Sequence, residues 1–320
     1  MALFDFARAE LETYQPTRDE QPDYDAFWAA TLASVREHDL GATFTPYDAG
    51  LTEIETFDVS FAGWNGEPVK GWLLLPAHRA GTLGCVVQYH GYNGGRGLVH
   101  QYLMYAAAGY AHLLMDTRGQ GGGDTGDAHA DASGPHVAGY MTDGILDKDV
   151  YYYRRLMSDA VRAVETARAH PDVDPDRIVV AGGSQGGGLT LAAAGLVDGL
   201  AGSMPDVPFL CHYRRATEIV DTAPYSEIQA YCRTRPEDIE RVFTTLSYFD
   251  GVNFAAHAGA PTLYSVGLMD MVCPPSTVYA AYNHHASTDK AIEVYPYNGH
   301  EGGAARHEVA KLAFVRRVLG

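Results

Sequence analysis

Short apolar segments alternate with longer amphipathic ones over most of this chain, a pattern typical of parallel strands joined by crossover helices. The predicted strands are 85–89, 111–115, 177–181, 200–204, 261–266 and 291–295, with 209–211 as a further candidate. The predicted helices are 99–108, 151–170, 187–197 and 304–319. The pattern therefore predicts an α/β fold with a mostly parallel central sheet flanked by helices.

The segments before this alternating region predict one helix and one hairpin. Residues 23–37 carry apolar side chains at helical spacing, with Asp23 as a candidate N-cap. Residues 53–61 and 69–75 predict two antiparallel strands, because an Asn-Gly pair lies between them. We expect the helix to pack across the outside of the main domain.

Two segments interrupt the alternation. Residues 117–150 are rich in glycine and aspartate, and residues 212–258 are polar with short helical patterns. The first is too long for an ordinary connection and predicts a functional loop, whereas the second lies where a lid can be inserted. We expect one α/β domain over 1–320 that carries these two insertions and an N-terminal helical extension over 1–50.

Charge and composition narrow the class of partner. The 320 residues include 40 acidic and 23 basic side chains, a net charge of −17, which argues against nucleic-acid binding. No run approaches the ~20 apolar residues of a membrane span, and the first residues lack a basic segment followed by an apolar one. We therefore expect a soluble, cytoplasmic protein with no nucleic-acid or membrane partner. Free thiols are expected, rather than a disulfide or metal site, at the four scattered cysteines Cys85, Cys211, Cys232 and Cys273.

A glycine-flanked serine, Ser184, is the first candidate for chemistry. An apolar run ends in Gly182-x-Ser184-x-Gly186 and resumes as a helix pattern, which predicts a sharp strand-to-helix turn that exposes the serine hydroxyl. The same glycines also suit tight strand–helix packing or a phosphate cradle. A nucleophilic serine needs a histidine to accept its proton and a carboxylate to orient that histidine, so the rest of the chain must supply both.

Asp270 and His300 follow the last two predicted strands. Each lies at the carboxyl end of its strand, the edge at which ligand-facing residues gather in open parallel sheets. The chain order Ser184, Asp270, His300 is the order expected of a catalytic triad in an α/β-hydrolase. Poorer candidates, which end no clear strand or fall in a helix-like stretch, are Asp250, Asp289, His284 and His285.

Acyl transfer also needs hydrogen-bond donors for the developing oxyanion, worth ~3 kcal/mol each. The amide that follows the nucleophile belongs to Gln185. A second donor should come from the glycine-rich loop 89–95, where we assign the Tyr92 amide. The glycines of that loop also have a simpler explanation, because a tight turn requires them.

Together these motifs resemble the acetyl xylan esterase and cephalosporin C deacetylase family, carbohydrate esterase family seven. The elements that carry the resemblance are His90-Gly91-Tyr92, Arg118-Gly119-Gln120-Gly121, Gly182-Gly183-Ser184-Gln185-Gly186-Gly187, Gly267-x-x-Asp270 and His300-Glu301. The N-terminal helix, the hairpin and the length also fit, so the resemblance covers essentially the whole chain.

The resemblance implies an α/β-hydrolase fold and a serine esterase that removes acetyl groups from acetylated xylo-oligosaccharides and cephalosporin C through an acyl-enzyme. It implies no metal or cofactor, and a hexamer built as a dimer of trimers. The residues that it implies for catalysis are the nucleophile Ser184, the acid Asp270, the base His300 and the oxyanion amides of Tyr92 and Gln185.

The resemblance also implies that Arg118, Gln120 and Glu301 brace the site structurally. Two alternatives stay open, a serine peptidase of the aminoacyl peptidase kind and a broad short-chain carboxylesterase, because both carry the triad in the same order on the same fold. A non-enzymatic binding module would be expected to lack a triad member, and all three residues are present.

Overall fold

The computed structural model describes residues 3–127 and 136–320, through which one nine-stranded sheet runs. The strands are β1 (Thr43–Pro46), β2 (Ile54–Ala62), β3 (Pro68–Pro76), β4 (Leu83–Tyr89), β5 (Ala111–Met115), β6 (Val173–Gly183), β7 (Gly202–Asp206), β8 (Thr262–Gly267) and β9 (Lys290–Tyr295). Their order across the sheet is β1-β2-β3-β5-β4-β6-β7-β8-β9. The three pairs β1–β2, β2–β3 and β3–β5 are antiparallel. The five pairs from β5 across the sheet to β9 are parallel, which confirms the predicted mostly parallel sheet.

Helices cover both faces of this sheet. They are α1 (Arg8–Leu11), α2 (Tyr24–Arg36), α3 (Met104–Ala107), α4 (Tyr152–Ala169), α5 (Gln185–Leu196), α6 (Tyr213–Ile219), α7 (Tyr225–Thr234), α8 (Ile239–Ser247), α9 (Gly251–His257), α10 (Pro275–His284) and α11 (Ala305–Leu319). Within the two described ranges, none of the helices is long and apolar enough to cross a bilayer.

The core lies on both sides of the central strands. Val86 and Val87 are neighbours in β4 and are both fully buried, although they point to opposite faces. Val87 packs in the cluster that contains α4 and α5, and Val86 packs in the cluster that contains α11. This double burial explains why the parallel strands appear in the sequence as continuous apolar runs.

Most predicted elements agree with the structure to within a few residues. The pairing of β2 with β3 is the predicted hairpin. The helix α2 begins directly after Asp23, but the Asp23 side chain makes no capping hydrogen bond and accepts from the Tyr248 hydroxyl instead. The prediction of one helix over 99–108 is wrong, because a single helical turn at Val99–Gln101 is separated from α3. The Tyr102 carbonyl accepts a hydrogen bond from His112 Nδ1 (3.0 Å) and none from the Ala106 amide, which would pair with it in a continuous helix.

The strand candidate 209–211 is also wrong. Leu210 and His212 have left-handed backbone, with φ of 65° and 49°, which ends an extended conformation. The Phe209 amide donates to the Ser184 carbonyl (2.9 Å) and not to a neighbouring strand. Conversely, β1 was not predicted, because four residues are too few to stand out in the pattern.

The 212–258 insertion forms α6 to α9 between β7 and β8. The N-terminal α2, which was expected to pack across the outside of the main domain, places Trp28 against this insertion. Trp28 Nε1 donates to the Tyr248 carbonyl (2.9 Å), and the Trp28 ring meets Phe249 and Phe254 edge-on.

The predicted 117–150 loop is described apart from 128–135, which lie outside the described residues. Its described part consists of turns, with one isolated bridge between Gln120 and His136. This loop and the 212–258 insertion both reach the carboxyl edge of the sheet, where the candidate site lies.

Candidate active site

Ser184 lies at a sharp turn between β6 and α5, as its flanking glycines predicted. Its backbone has φ 57° and ψ −122°. The neighbouring positions have no room for side chains: a Cβ on Gly182 would lie 2.5 Å from the Gly186 carbonyl oxygen, and one on Gly186 would lie 2.4 Å from the Tyr89 carbonyl oxygen. The turn therefore requires glycine at both positions.

Hydrogen bonds hold Ser184 in this uncommon conformation. Its amide donates to the Asp206 carbonyl (3.0 Å), and its carbonyl accepts from the amides of Phe209 (2.9 Å) and Gly188 (3.1 Å). The surroundings thus over-determine a backbone geometry that an L-residue rarely adopts. The serine is held at the N-terminus of a 12-residue helix, at the carboxyl edge of the sheet.

Asp270 and His300 meet across two loops at the same edge. Asp270 follows β8, His300 follows β9, and His300 Nδ1 lies 2.9 Å from Asp270 Oδ2. The other carboxylate oxygen accepts from the amides of Val272 (2.8 Å) and Cys273 (2.9 Å), so the fully buried carboxylate is fixed in place. Because the carboxylate accepts, the imidazole proton lies on Nδ1 and Nε2 is left with a free lone pair.

The Ser184 hydroxyl is close to this pair but makes no direct hydrogen bond to His300 among the contacts of the described residues. Its side chain lies beside the thiol of Cys273. Donor atoms of Asp270, Cys273 and His300 all lie within 4.8 Å of one another, so these side chains and the serine converge on one small volume. Serine–histidine hydrogen bonds in ligand-free sites are often long and tighten when substrate binds.

Cys273 is a site residue that sequence reasoning missed. It is fully buried, and like the other three cysteines it is a free thiol. Burial, and then the Asp270 carboxylate, raise the pKa of Cys273 well above its usual value, so the group beside the serine is a neutral thiol at neutral pH. Its position three residues after Asp270 was the one signal that could have found it.

The loop after β4 packs against the serine. A Cβ built on Gly91 would lie 3.9 Å from Ser184 Cβ, which brings the following Tyr92 backbone next to the same space. In the part of the chain that the structure describes, the amides of Tyr92 and Gln185 donate to no protein acceptor. Two unpaired amides on the segments that meet at a serine are the donors that an oxyanion hole requires.

Gln120 joins this loop to the helix that begins after the serine. Its Oε1 accepts from the Asn93 amide (2.7 Å), and its Nε2 donates to Gln185 Oε1 (2.8 Å). The Tyr153 hydroxyl donates to the same Gln185 oxygen (3.0 Å). Gln120, Tyr153 and Gln185 are fully buried, so this side-chain network replaces backbone pairing between the two segments.

Arg118 lies further from the serine and is fully buried. Its guanidinium donates to both oxygens of Asp159 (2.7 and 3.1 Å) and also contacts Glu67. Burial opposes the positive charge, but Asp159 and its neighbouring carboxylates outweigh burial and raise the pKa of Arg118. Arg118 therefore anchors the start of the 117–150 loop and not the serine itself.

Glu301 closes the turn that carries His300. Its carboxylate accepts from Asn298 Nδ2 (2.9 Å) and from the Gly299 amide (3.1 Å). Hydrogen bonds from its own amide, then from Asn298 and Gly299, lower the pKa of Glu301. The charged side chain thus stabilises the loop of the candidate base.

Glu227 ties the 212–258 insertion to the loop of Tyr92. From α7, its two carboxylate oxygens accept from the Tyr92 hydroxyl (2.8 and 3.0 Å), and one also accepts from the amides of Gly139 (3.0 Å) and Met141 (3.2 Å). Burial, and then Glu227, raise the pKa of Tyr92, so its phenol is a protonated donor. No sequence signal indicated Glu227, because it lies 135 positions from Tyr92 in a segment without a motif.

Two of the poorer acid candidates have other partners. Asp250 caps α9 by accepting from the Val252 amide (2.9 Å), and Asp289 forms an ion pair with Arg317 (2.7 Å). Neither is joined to His300, which leaves Asp270 as its carboxylate partner.

A family model described as acetyl xylan esterase (AXE1) matches residues 1–318. The chain is similar in structure to an acetyl xylan esterase from Paenibacillus sp. R4, with 42% identity, a TM-score of 0.92, and coverage of 98% of this chain and 100% of that one. It is also similar to acetyl xylan esterase 1 from Thermoanaerobacterium sp. JW/SL YS485, with 33% identity, a TM-score of 0.91, and coverage of 99% and 100%.

Among curated proteins, the chain is 27% identical over 300 residues to the acetyl esterase Axe7A from Xylanibacter ruminicola. The match covers 90% of this chain and 65% of Axe7A, so the chain spans just under two thirds of the length of that relative. These similarities, together with the strand order, confirm the α/β-hydrolase fold that the sequence predicted.

Proposed function

Because this chain belongs to the acetyl xylan esterase (AXE1) family, we propose that it hydrolyses acetyl esters of small O-acetylated carbohydrates, such as acetylated xylo-oligosaccharides. The observation that carries this function is the Asp270–His300 hydrogen bond at the sheet edge where Ser184 occupies its strained turn. A buried carboxylate, an imidazole and a serine hydroxyl are the parts of a nucleophilic acyl-transfer site. The names of the similar proteins, all acetyl esterases, support acetyl as the acyl group.

In the first half of the cycle, the Ser184 hydroxyl turns to His300 Nε2, which takes its proton as Oγ attacks the acetyl carbonyl carbon. Asp270 keeps the other imidazole proton on Nδ1 and stabilises the imidazolium. The amides of Tyr92 and of the residue after the serine stabilise the oxyanion. The bond to the sugar oxygen then breaks, and the alcohol leaves with the proton from the imidazolium.

In the second half, a water molecule attacks the acetyl-serine. His300 takes a proton from the water as its oxygen adds to the carbonyl carbon, and the bond to Ser184 Oγ breaks with return of that proton to the serine. One ester and one water are thus converted to one alcohol and one acetic acid. Throughout this cycle, Arg118, Gln120 and Glu301 support the loops of the site and touch no reacting atom.

Three finer properties belong to the same proposal and are supported by family membership. They are deacetylation of cephalosporin C, assembly as a hexamer of the dimer-of-trimers kind, and a cytoplasmic location. Sedimentation velocity should give the mass of six chains across a range of concentrations. A monomer or dimer at the concentrations used for kinetics would contradict the assembly but leave the chemistry untouched.

Acetate release from acetylated xylo-oligosaccharide and from cephalosporin C tests the substrate class. The comparison set is the p-nitrophenyl esters of acetate, butyrate and octanoate and a peptide p-nitroanilide. We expect the acetyl esters to be hydrolysed fastest. Rates that rise with acyl length would support the broad carboxylesterase alternative, and cleavage confined to the anilide would support the peptidase alternative.

Replacement of the nucleophile tests the mechanism. Ser184→Ala should lower kcat by about 10⁴-fold or more with an unchanged thermal unfolding curve. Ser34→Ala, at an exposed serine of α2, is the matched control and should keep full activity. Substantial hydrolysis by Ser184→Ala would remove the serine from its assigned role.

A further inference from the structure

The side chains of Asp270, Cys273 and His300 form a group whose donor atoms are those that bind metal ions. We propose that this group binds a thiophilic divalent cation, Zn²⁺ or Cd²⁺, and that the bound cation inhibits the enzyme. The cation site stands on geometry alone, whereas its effect on activity rests on the proposed function.

The spacing of the three side chains is close to that of a zinc site. One donor atom from each lies within 4.8 Å of the others. In tetrahedral zinc sites with bonds of about 2.0–2.3 Å, the ligand atoms lie roughly 3.3–3.8 Å apart. Closing this group onto a cation therefore requires movements of roughly 1–1.5 Å at most, which rotation of the Cys273 and partly exposed His300 side chains provides around the fixed Asp270 carboxylate. A water molecule supplies the fourth ligand.

The donor types determine which cations fit. A thiolate and an imidazole favour Zn²⁺ and Cd²⁺, whereas Mg²⁺ and Ca²⁺ prefer all-oxygen sites. On binding, the cation replaces the proton on Cys273 Sγ, and that proton is released to solvent with no change of oxidation state. The resulting thiolate and the Asp270 carboxylate neutralise both charges of the cation, and neutral His300 adds none. A closed site without net charge suits a buried position.

The arrangement also explains why binding should block the serine. His300 is 34% exposed, whereas Asp270 and Cys273 are buried, so a cation reaches the group from the side of the imidazole. The imidazole nitrogen nearest Asp270 is Nδ1, 2.9 Å from Oδ2, so a cation bound by the group displaces the Nδ1 proton, which moves to Nε2. Nε2 is then a donor with no lone pair left to take the proton from Ser184. The same cation holds the thiol that contacts the serine, so substrate and cation compete for one volume.

Titration with Cd²⁺ tests the site independently of catalysis, because a cadmium–thiolate bond has a charge-transfer band in the ultraviolet. The full chain should show this band, saturating at one cation per chain. Cys273→Ser should lose it, and circular dichroism should show that this variant is folded. His300→Gln keeps the thiol and should weaken Cd²⁺ binding by at least about tenfold. Cys232→Ser removes a partly buried cysteine of α7 outside the group and should keep the band.

Inhibition by Zn²⁺ is the second measurement, with each variant compared with its own metal-free rate on p-nitrophenyl acetate. We expect inhibition of the unmodified chain and of Cys232→Ser that EDTA reverses, and inhibition at least about tenfold weaker for Cys273→Ser. A cadmium band that persists in Cys273→Ser, no band in any variant, or equal inhibition of Cys273→Ser and the unmodified chain would each overturn the site. If no acetyl ester is hydrolysed, the proposed function fails while the cadmium band still decides the cation site.

Discussion

Replacing Glu227 by glutamine should slow hydrolysis, although Glu227 lies on the insertion and not in the Asp-His pair. Its carboxylate holds the Tyr92 hydroxyl together with the amides of Gly139 and Met141. The hydroxyl belongs to the same residue whose backbone amide is assigned to the oxyanion. When Tyr92 is less firmly held, that amide is less well aimed, which weakens binding of the transition state more than binding of the substrate.

The size of the effect follows from the hydrogen bonds involved. A hydrogen bond to a charged group is worth about 1.5–3 kcal/mol, and the partial exposure of Tyr92 and Glu227 reduces this to about 1–2 kcal/mol of unfolding free energy. Removal of a whole oxyanion donor costs about 2.7–4 kcal/mol of transition-state stabilisation. Misaligning one donor should cost about 1–2 kcal/mol, or about 5- to 30-fold in kcat, with KM changed less than about threefold.

Initial rates on p-nitrophenyl acetate separate kcat from KM and provide the assay. Tyr92→Phe removes the hydroxyl but keeps the amide, so it should lose kcat to a similar extent. The double variant Tyr92→Phe/Glu227→Gln should lose little more, because Tyr92→Phe removes the hydrogen bond that Glu227→Gln weakens. Glu237→Gln makes the same charge change at an exposed position of the insertion and should leave kcat unchanged. Fully additive losses, or an unchanged kcat in Glu227→Gln, would refute the reasoning.

Three further predictions concern the acid, its support and the pH dependence of stability. Asp270→Asn presents a donor to His300 and favours the wrong tautomer, so kcat should fall about 10⁴-fold while the thermal unfolding curve is retained; a loss below tenfold would argue against the assigned acid. Arg118→Met leaves the buried Asp159 carboxylate uncompensated and should lower the unfolding free energy by about 3–5 kcal/mol in urea, whereas a loss under about 1 kcal/mol would argue against a supporting role. Burial lowers the pKa of His285 to about 4, whereas a histidine in the unfolded chain titrates near 6.5. As the pH falls, the unfolded chain therefore binds a proton at His285 before the folded chain does. The stability that His285 contributes above about pH 6.5 is lost as the pH falls towards 4. The free energy of unfolding, measured with urea at pH 7 and at pH 5, should fall less between the two pH values for His285→Gln than for the unmodified chain. Equal falls for the two proteins would count against this assignment.

The serine turn was predictable because local rules decide it. A strand that ends in glycines around one serine restricts the backbone within five residues, and the φ of 57° at Ser184 is the structural consequence. Asp270 and His300 were predictable in position because each follows a parallel strand, and such strands end at one edge of the sheet. Their catalytic roles stay predictions until the variants are measured.

The hydrophobic pattern of the sequence could not predict contacts that form only through tertiary packing. Residues 99–108 have helical periodicity, yet the segment is divided at Tyr102, whose carbonyl accepts from the His112 side chain. The Glu227–Tyr92 contact joins two segments with no shared motif. In both cases the partner lies outside the segment, 10 positions from Tyr102 and 135 positions from Tyr92, and periodicity carries no information about it.

The two insertions both hold the loop that carries Tyr92 at the candidate site. An amide that is to receive an oxyanion must be left unpaired, so the loop that carries Tyr92 cannot be fixed there by backbone hydrogen bonds. Side chains must hold it instead. Gln120, from the 117–150 loop, binds the Asn93 amide, and Glu227, from the 212–258 insertion, binds the Tyr92 hydroxyl. Side chains of the two insertions therefore hold the Tyr92 loop at a point where, among the described residues, the Tyr92 amide itself donates to no protein acceptor.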